Sequence, residues 1–219
     1  MTGEMPRITI LLADDHTVLR HGLRRILEAE PELHVVGEAG DGRAAVALVE
    51  QWHPGVVVMD IGMPLLNGIE ATREIVRIDP RVAVLILSMH ADVGYLRRSL
   101  DAGARGYLLK DAEDLDLVRA VKALAQGGSY FSPVIAAQMR EQLLAPAGSA
   151  GPDALAVLTQ RERQVLQLVA EGKSNKEVAT IMNLGVSTVE THRKHVMEKL
   201  DLHNTAAMVR FAIRKGIVE

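Results

Sequence analysis

The 219-residue sequence predicts an open, doubly wound α/β fold with five parallel strands (flavodoxin-like), followed by a smaller all-α domain. Three observations carry that prediction. Between residues 7 and 128, short Val/Ile/Leu-rich runs alternate with segments of helical periodicity, giving five β/α units. Runs such as GVVVMD and VAVLILS lack the every-other-residue alternation of a half-buried strand, so they suit a parallel sheet covered on both faces. Beyond residue 154 the strand pattern stops, and three Ser/Thr-x-x-Glu signatures of helix N-termini follow one another.

Each element has its own signal. RITILLADD (7–15) is a β-rich run, and HTVLRHGLRRILEAE (16–30) places Val18, Leu19, Gly22, Leu23, Ile26 and Leu27 at helical spacing. HVVGEAG (34–40) is a short strand, and GRAAVALVEQW (42–52) a helix that stops before Pro54. GVVVMD (55–60) leads to the helix GIEATREIVRI (68–78), and VAVLILS (82–88) to DVGYLRRSLDAG (92–103), ended by glycine. ARGYLLK (104–110) precedes AEDLDLVRAVKALAQGG (112–128), which two glycines end. A short amphipathic helix is expected at 134–144, after Pro133. The nearly uncharged APAGSAGPDA (145–154) is expected to be a linker.

In the tail, Thr159 with Glu162, Ser174 with Glu177 and Ser187 with Glu190 each form a capping-box pattern, and Asn204 is placed to cap a fourth helix. Only Leu184-Gly185-Val186 separates the second and third helices, the spacing of a helix-turn-helix. The domains are therefore 1–128, a linker with a short helix at 129–154, and 155–219.

Composition narrows the function. With no cysteine, a disulfide framework and Cys-ligated zinc are excluded. Only six residues precede the first apolar run, leaving no room for a secretory signal, and no run approaches the ~20 residues of a membrane span. A cytoplasmic protein with no membrane partner is expected. Residues 1–128 carry 14 Lys/Arg against 19 Asp/Glu, whereas residues 155–219 carry 10 against 7. The basic excess points to nucleic acid for the tail only.

In doubly wound sheets the functional crevice lies beyond the carboxyl ends of the strands. Asp14, Asp15, Asp60, Ser88 and Lys110 end or follow strands there. Clustered carboxylates repel one another, and a divalent cation such as Mg2+, which favours carboxylate oxygens, resolves the conflict. An ammonium and a hydroxyl beside them would hold phosphoryl oxygens, the composition of an acyl-phosphate site at an aspartate. Each residue also has a plainer reading. Asp14 or Asp15 would cap the following helix, Asp60 would be a turn residue, Ser88 would cap the helix after it, and Lys110 would pair with Asp111. Tyr107 would be a core aromatic.

As an ordered set, Asp14-Asp15, Asp60 in MDIGMP, Ser88 in LILSMH, Tyr107 and Lys110 in GYLLKD make residues 7–127 resemble the receiver domain of two-component response regulators. The resemblance implies that Asp14, Asp15 and Asp60 hold Mg2+, with the Gly62 carbonyl as a further ligand. It also implies that Asp60 takes a phosphoryl group from a phosphohistidine of a sensor histidine kinase. Ser88 and Lys110 would follow the phosphoryl oxygens, and Tyr107 would turn inward. The Ser88–Tyr107 region, beside the helix at 91–102, would be the two-state element. Gly62 offers no side chain to shield the phosphoryl group, so the sequence leaves its lifetime open.

Through LTQRERQVLQLVAEGKSNKEVA and VSTVETHRKHVMEKL, residues 155–219 resemble the LuxR-type helix-turn-helix of the NarL/FixJ class. This implies a four-helix domain whose third helix, about 187–200, enters the major groove of double-stranded DNA. Thr188, Glu190, Thr191, Arg193 and Lys194 on that helix, with Lys173, Lys176 and Lys199 near the phosphates, are the expected DNA contacts. Val189, Val196 and Leu200 are expected to pack inward. Glu190 would face phosphate repulsion; it is either the capping partner of Ser187, the favoured reading, or an acceptor for a cytosine amino group.

The expected function is a transcription regulator gated by phosphorylation of Asp60, acting as a homodimer on paired half-sites. One alternative is a phosphorylation-independent DNA-binding protein that keeps the receiver as a dimerisation module. An aspartyl-phosphate phosphatase is a second alternative, but it needs an acid two residues past the nucleophile, where Gly62 stands. The expected role is thus that of a phosphoacceptor taking part in its own phosphoryl transfer and dephosphorylation, not an enzyme.

Overall fold

A computed structural model describes residues 7–112, 114–144 and 154–218. They form two compact units. The first opens with β1 (Ile8–Ala13), α1 (Thr17–Glu28), β2 (Leu33–Ala39), α2 (Gly42–Trp52), β3 (Val56–Asp60) and α3 (Gly68–Ile78). It continues with β4 (Ala83–Ser88), α4 (Val93–Asp101), β5 (Gly106–Leu109), α5 (Asp114–Ala125), β6 (Tyr130–Phe131) and α6 (Pro133–Leu144).

All strand pairs are parallel, in the order β2-β1-β3-β4-β5-β6. The sheet thus has six strands, not five. The sixth is two residues long and pairs Tyr130 and Phe131 with Gly106 and Tyr107. It lies in the stretch read as linker, because two residues are too few to show a period. The expected linker APAGSAGPDA falls outside the described residues except for Ala154.

The unbroken apolar runs have the predicted cause: every residue of β3 and β4 is buried. On one face Ile10, Leu12, Val56, Val58, Leu85, Leu87 and Leu108 pack against Leu23 and Leu27 of α1 and Leu117, Val121 and Leu124 of α5. The alternate residues, among them Leu11, Val57, Met59 and Ile86, are equally buried and face the α2–α4 side. From β1 the chain passes first to β2 on one side and then to β3 on the other, so the strand order reverses between β1 and β3 and opens a crevice at their carboxyl ends.

In the second unit α7 (Gln160–Ala170), α8 (Asn175–Met182), α9 (Val186–Lys199) and α10 (Thr205–Arg214) enclose an apolar core. Leu166, Val169, Val178, Met182, Met208 and Phe211 fill it. Val189 and Val196 of α9 are fully buried there, and Leu200 packs against the cluster, as expected. Thr159 and Ser174 form complete capping boxes with Glu162 and Glu177, and the Asn204 side chain accepts from the Ala207 amide.

The third box does not form. The N-cap of α9 is Gly185, and no side chain caps it. Asn183, in the left-handed conformation at φ 52°, closes α8 so sharply that α9 already begins at Val186. Ser187 therefore sits inside the helix, where its carbonyl accepts from the Thr191 hydroxyl. Glu190 cannot be its capping partner.

Candidate functional site

Parallel register sets the level of each strand end. Ala13 of β1 lies beside Met59 of β3, Asp60 beside Leu87 of β4, and Ser88 beside Leu109 of β5. Asp14, Asp60, Ser88 and Lys110 thus line one edge of the sheet, at the reversal point. The Lys110 amide donates to the Ser88 carbonyl at 2.9 Å, joining the last two.

The Lys110 ammonium bridges two buried carboxylates, 2.9 Å from Asp14 and 2.8 Å from Asp60. The plainer pairing of Lys110 with Asp111 is thereby replaced. Burial pushes the Asp60 carboxyl above its ordinary value, with the Lys110 hydrogen bond opposing it. Burial also acts to lower Lys110, but hydrogen bonds to Asp60 and Asp14 outweigh it and raise the ammonium above its ordinary value. Lys110 is thus the cation that lets Asp60 persist as a carboxylate in a desolvated place.

Ligand atoms of Asp14, Asp15, His16 and Asp60 lie within 4.8 Å of one another. Asp14 and Asp15 are not helix caps: Asp14 accepts from the His16 amide, and His16 holds the N-cap position without a side-chain cap. Three converging carboxylates offer the hard oxygen donors that Mg2+ takes, so the residues fit that ion. His16 was not foreseen. Its ring nitrogen is 2.8 Å from Asp15.

Ser88 is buried, and its hydroxyl oxygen accepts from the His90 amide at 3.0 Å; Asp92, not Ser88, caps α4. Tyr107 is fully buried and points inward, its hydroxyl donating to the His90 carbonyl at 2.7 Å. Burial raises that hydroxyl to about 12. Ser88 and Tyr107 therefore both hold the same backbone unit, His90, whose ring stacks on Tyr95. The Tyr107–His90 pairing, 17 residues apart, left no mark in the sequence.

Gly68 was also missed. A Cβ there would run into the Asp60 carbonyl oxygen. The available signal was a glycine opening a helix, where glycine is less usual than at the end of one.

On α9, Thr188, Glu190, Thr191 and Lys194 are exposed, as is Lys176 on α8, and Lys173 is half-buried. Two expected DNA contacts are engaged within the unit. Arg193 donates to the side chains of Asn175 and Thr205. Lys199 lies 2.7 Å from Glu162, which is buried. Burial acts to raise the Glu162 carboxyl, but Lys199 and the Thr159 cap outweigh it and hold it below its ordinary value.

A depressed carboxylate stabilises the fold above its unfolded value, about 4.3, and that contribution is lost as pH falls through the lower folded value. Lys199→Ala is therefore expected to lower the melting temperature of the second unit at pH 7. Below the folded value, with Glu162 protonated in both states, it should change little. Calorimetry across pH checks this.

The family described as "Response regulator receiver domain" matches residues 10–122, and "Bacterial regulatory proteins, luxR family" matches residues 156–212. Transcriptional regulatory protein DegU of Brevibacillus brevis is 36% identical over 226 residues, covering 97% of this chain and 96% of that protein. A LuxR-family two-component response regulator from Aurantimonas sp. SI85-9A1 superposes with a TM-score of 0.61 at 37% identity, over 64% of this chain and 99% of that one. The response regulator RcsB of Salmonella typhimurium superposes at 0.59 with 28% identity, over 96% of this chain and 100% of that one. An RcsB–DNA complex gives 0.58 at 26% identity, over 94% and 98%. Among the described residues no helix is long and apolar enough to cross a membrane. The chain belongs to the response regulators that join a receiver domain to a luxR-family DNA-binding domain, and its role is regulation of transcription rather than catalysis.

Proposed function

We propose that Asp60 is the phosphoacceptor through which a sensor histidine kinase controls DNA binding by the second unit. The observation that carries this reading is the Lys110 ammonium held between Asp14 and Asp60 at the sheet's reversal point. An Asp60 carboxylate oxygen attacks the phosphorus of a phosphohistidine. The P–O bond forms as the P–N bond breaks, and the imidazole leaves. Lys110 follows the phosphoryl oxygens and leaves its place between the carboxylates. Asp14, Asp15 and Asp60, with the Gly62 carbonyl, would hold Mg2+, which when bound offsets the negative charge of the phosphoryl group and the carboxylates.

The Ser88 hydroxyl turns to a phosphoryl oxygen and releases the His90 amide. Tyr107, bonded to the carbonyl of the same residue, transmits that change to α4. A receiver kept only for dimerisation has no need of a buried cation bridge, which favours the gated reading.

At the other end, α9 enters the major groove. Thr188, Glu190, Thr191 and Lys194 face DNA, and Lys173 and Lys176 approach phosphates. RcsB has been solved as dimers bound to DNA, which supports a homodimer on paired half-sites; the chain is read as working in the cytoplasm. Acetyl phosphate with Mg2+ should shift the wild-type chain on a phosphate-affinity gel and leave Asp60→Ala unshifted. An equal shift in both would place the phosphoryl group elsewhere.

A further inference from the structure

Glu190 is an acid on a helix that must approach phosphates, and its capping role is gone. Its surroundings in the second unit supply another. The Asn175 amide nitrogen, on the first residue of α8, lies 3.4 Å from the Glu190 carboxylate. The amide oxygen of the same Asn175 accepts from Arg193. Arg193 donates with its other terminal nitrogen to the Thr205 hydroxyl, on the first residue of α10, at 2.8 Å. A chain of hydrogen bonds thus runs from α10 through Arg193 and Asn175 to Glu190. It occupies both terminal nitrogens of Arg193 and turns its charge toward the unit, while Glu190 remains exposed on α9.

We propose that Glu190 reads a base, accepting a hydrogen bond from a cytosine amino group in the major groove. Arg193 acts as a positioning residue that holds Glu190 for this task through Asn175. A carboxylate only accepts, and cytosine's own major-groove edge presents an amino donor and no acceptor. Adenine pairs its amino group with an acceptor that a carboxylate would repel. The desolvation cost of an acid near phosphates is then offset by one matched contact, and the network spares the helix the entropy of fixing the side chain on binding. This rests on α9 being the groove helix.

The test is selection of DNA from a random pool by the full chain with Mg2+ and beryllofluoride, followed by salt titrations on the recovered site. Wild type should enrich a cytosine at one position of each half-site. Glu190→Gln should lose that preference by about tenfold or more and move toward adenine, which suits an amide. Asn175→Ala should relax the same position alone. So should Arg193→Ala, and without changing the salt dependence of binding. Thr205→Val removes only the outer leg of the network and serves if Arg193→Ala melts too low to use.

Three results would overturn the proposal. An unchanged motif in Glu190→Gln, with binding weakened by Lys194→Ala, rejects base reading while keeping α9 in the groove. No effect of either substitution removes α9 from DNA and rejects both. A salt slope lowered by about one in Arg193→Ala makes Arg193 a phosphate contact.

Discussion

Lys110→Ala is expected to lower phosphorylation of Asp60 by acetyl phosphate at least tenfold, and to destabilise the first unit in the absence of metal. Both effects come from one ammonium. In the resting chain it lies within 3 Å of Asp14 and Asp60, whose side chains are 2% and 7% exposed. Removing one partner of a buried ionic cluster costs about 3–5 kcal/mol, because it strands charge without compensation. Here two carboxylates are stranded side by side.

Mg2+ should restore part of the lost stability, since the ion would supply charge where the ammonium was removed. It should not restore the phosphorylation rate. A charge-assisted contact to the transferring group is missing, and about 1.4 kcal/mol of that contact already accounts for tenfold. Thermal melting with and without Mg2+, beside rates of phosphorylation, separates the two effects. A variant phosphorylated at the wild-type rate would remove Lys110 from the chemistry.

Gly68→Ala is the second large expectation. The new methyl group would collide with the Asp60 carbonyl oxygen and press on the Met59 side chain. The Gly68 amide also donates to the Ile61 carbonyl at 3.0 Å, tying the start of α3 to the end of β3. The obstacle is backbone, which no change of rotamer relieves. A cost of about 3 kcal/mol, the upper end for overpacking, corresponds to a fall of roughly 10 °C in melting temperature. The shift that relieves the clash moves Asp60 itself, so Mg2+ affinity should fall as well. Calorimetric titration with Mg2+ reads this. A variant with unaltered melting and Mg2+ affinity would show that the loop yields without moving Asp60.

The residues proposed to carry the chemistry were legible because the fold puts them at a place set by the chain's own pattern. Strand ends are where an apolar run stops, and Asp60, Ser88 and Lys110 stand at such stops. Asp14 follows the same rule. What tunes these residues was not legible. Tyr107 reaching back to His90, and Gly68 beneath Asp60, act across tertiary contacts that no local spacing encodes.

The capping boxes make the same point within one motif. Three segments share the pattern, yet only two form it, because the left-handed Asn183 decides where α9 begins. Charge on the tail was likewise visible, but its direction was not. Lys199 turns to Glu162 and Arg193 to Asn175 and Thr205, so the basic excess available to DNA is smaller than the sequence count suggests.

Phosphorylation at Asp60 is proposed to set DNA affinity. This is tested most directly by the Kd of the full chain for its selected DNA at fixed salt, with and without beryllofluoride and Mg2+, in wild type and Asp60→Ala. Wild type should bind at least about tenfold tighter with beryllofluoride, a coupling of about 1.4 kcal/mol, and Asp60→Ala should not change. Equal affinities for wild type in both conditions, or tightening that survives Asp60→Ala, would contradict it.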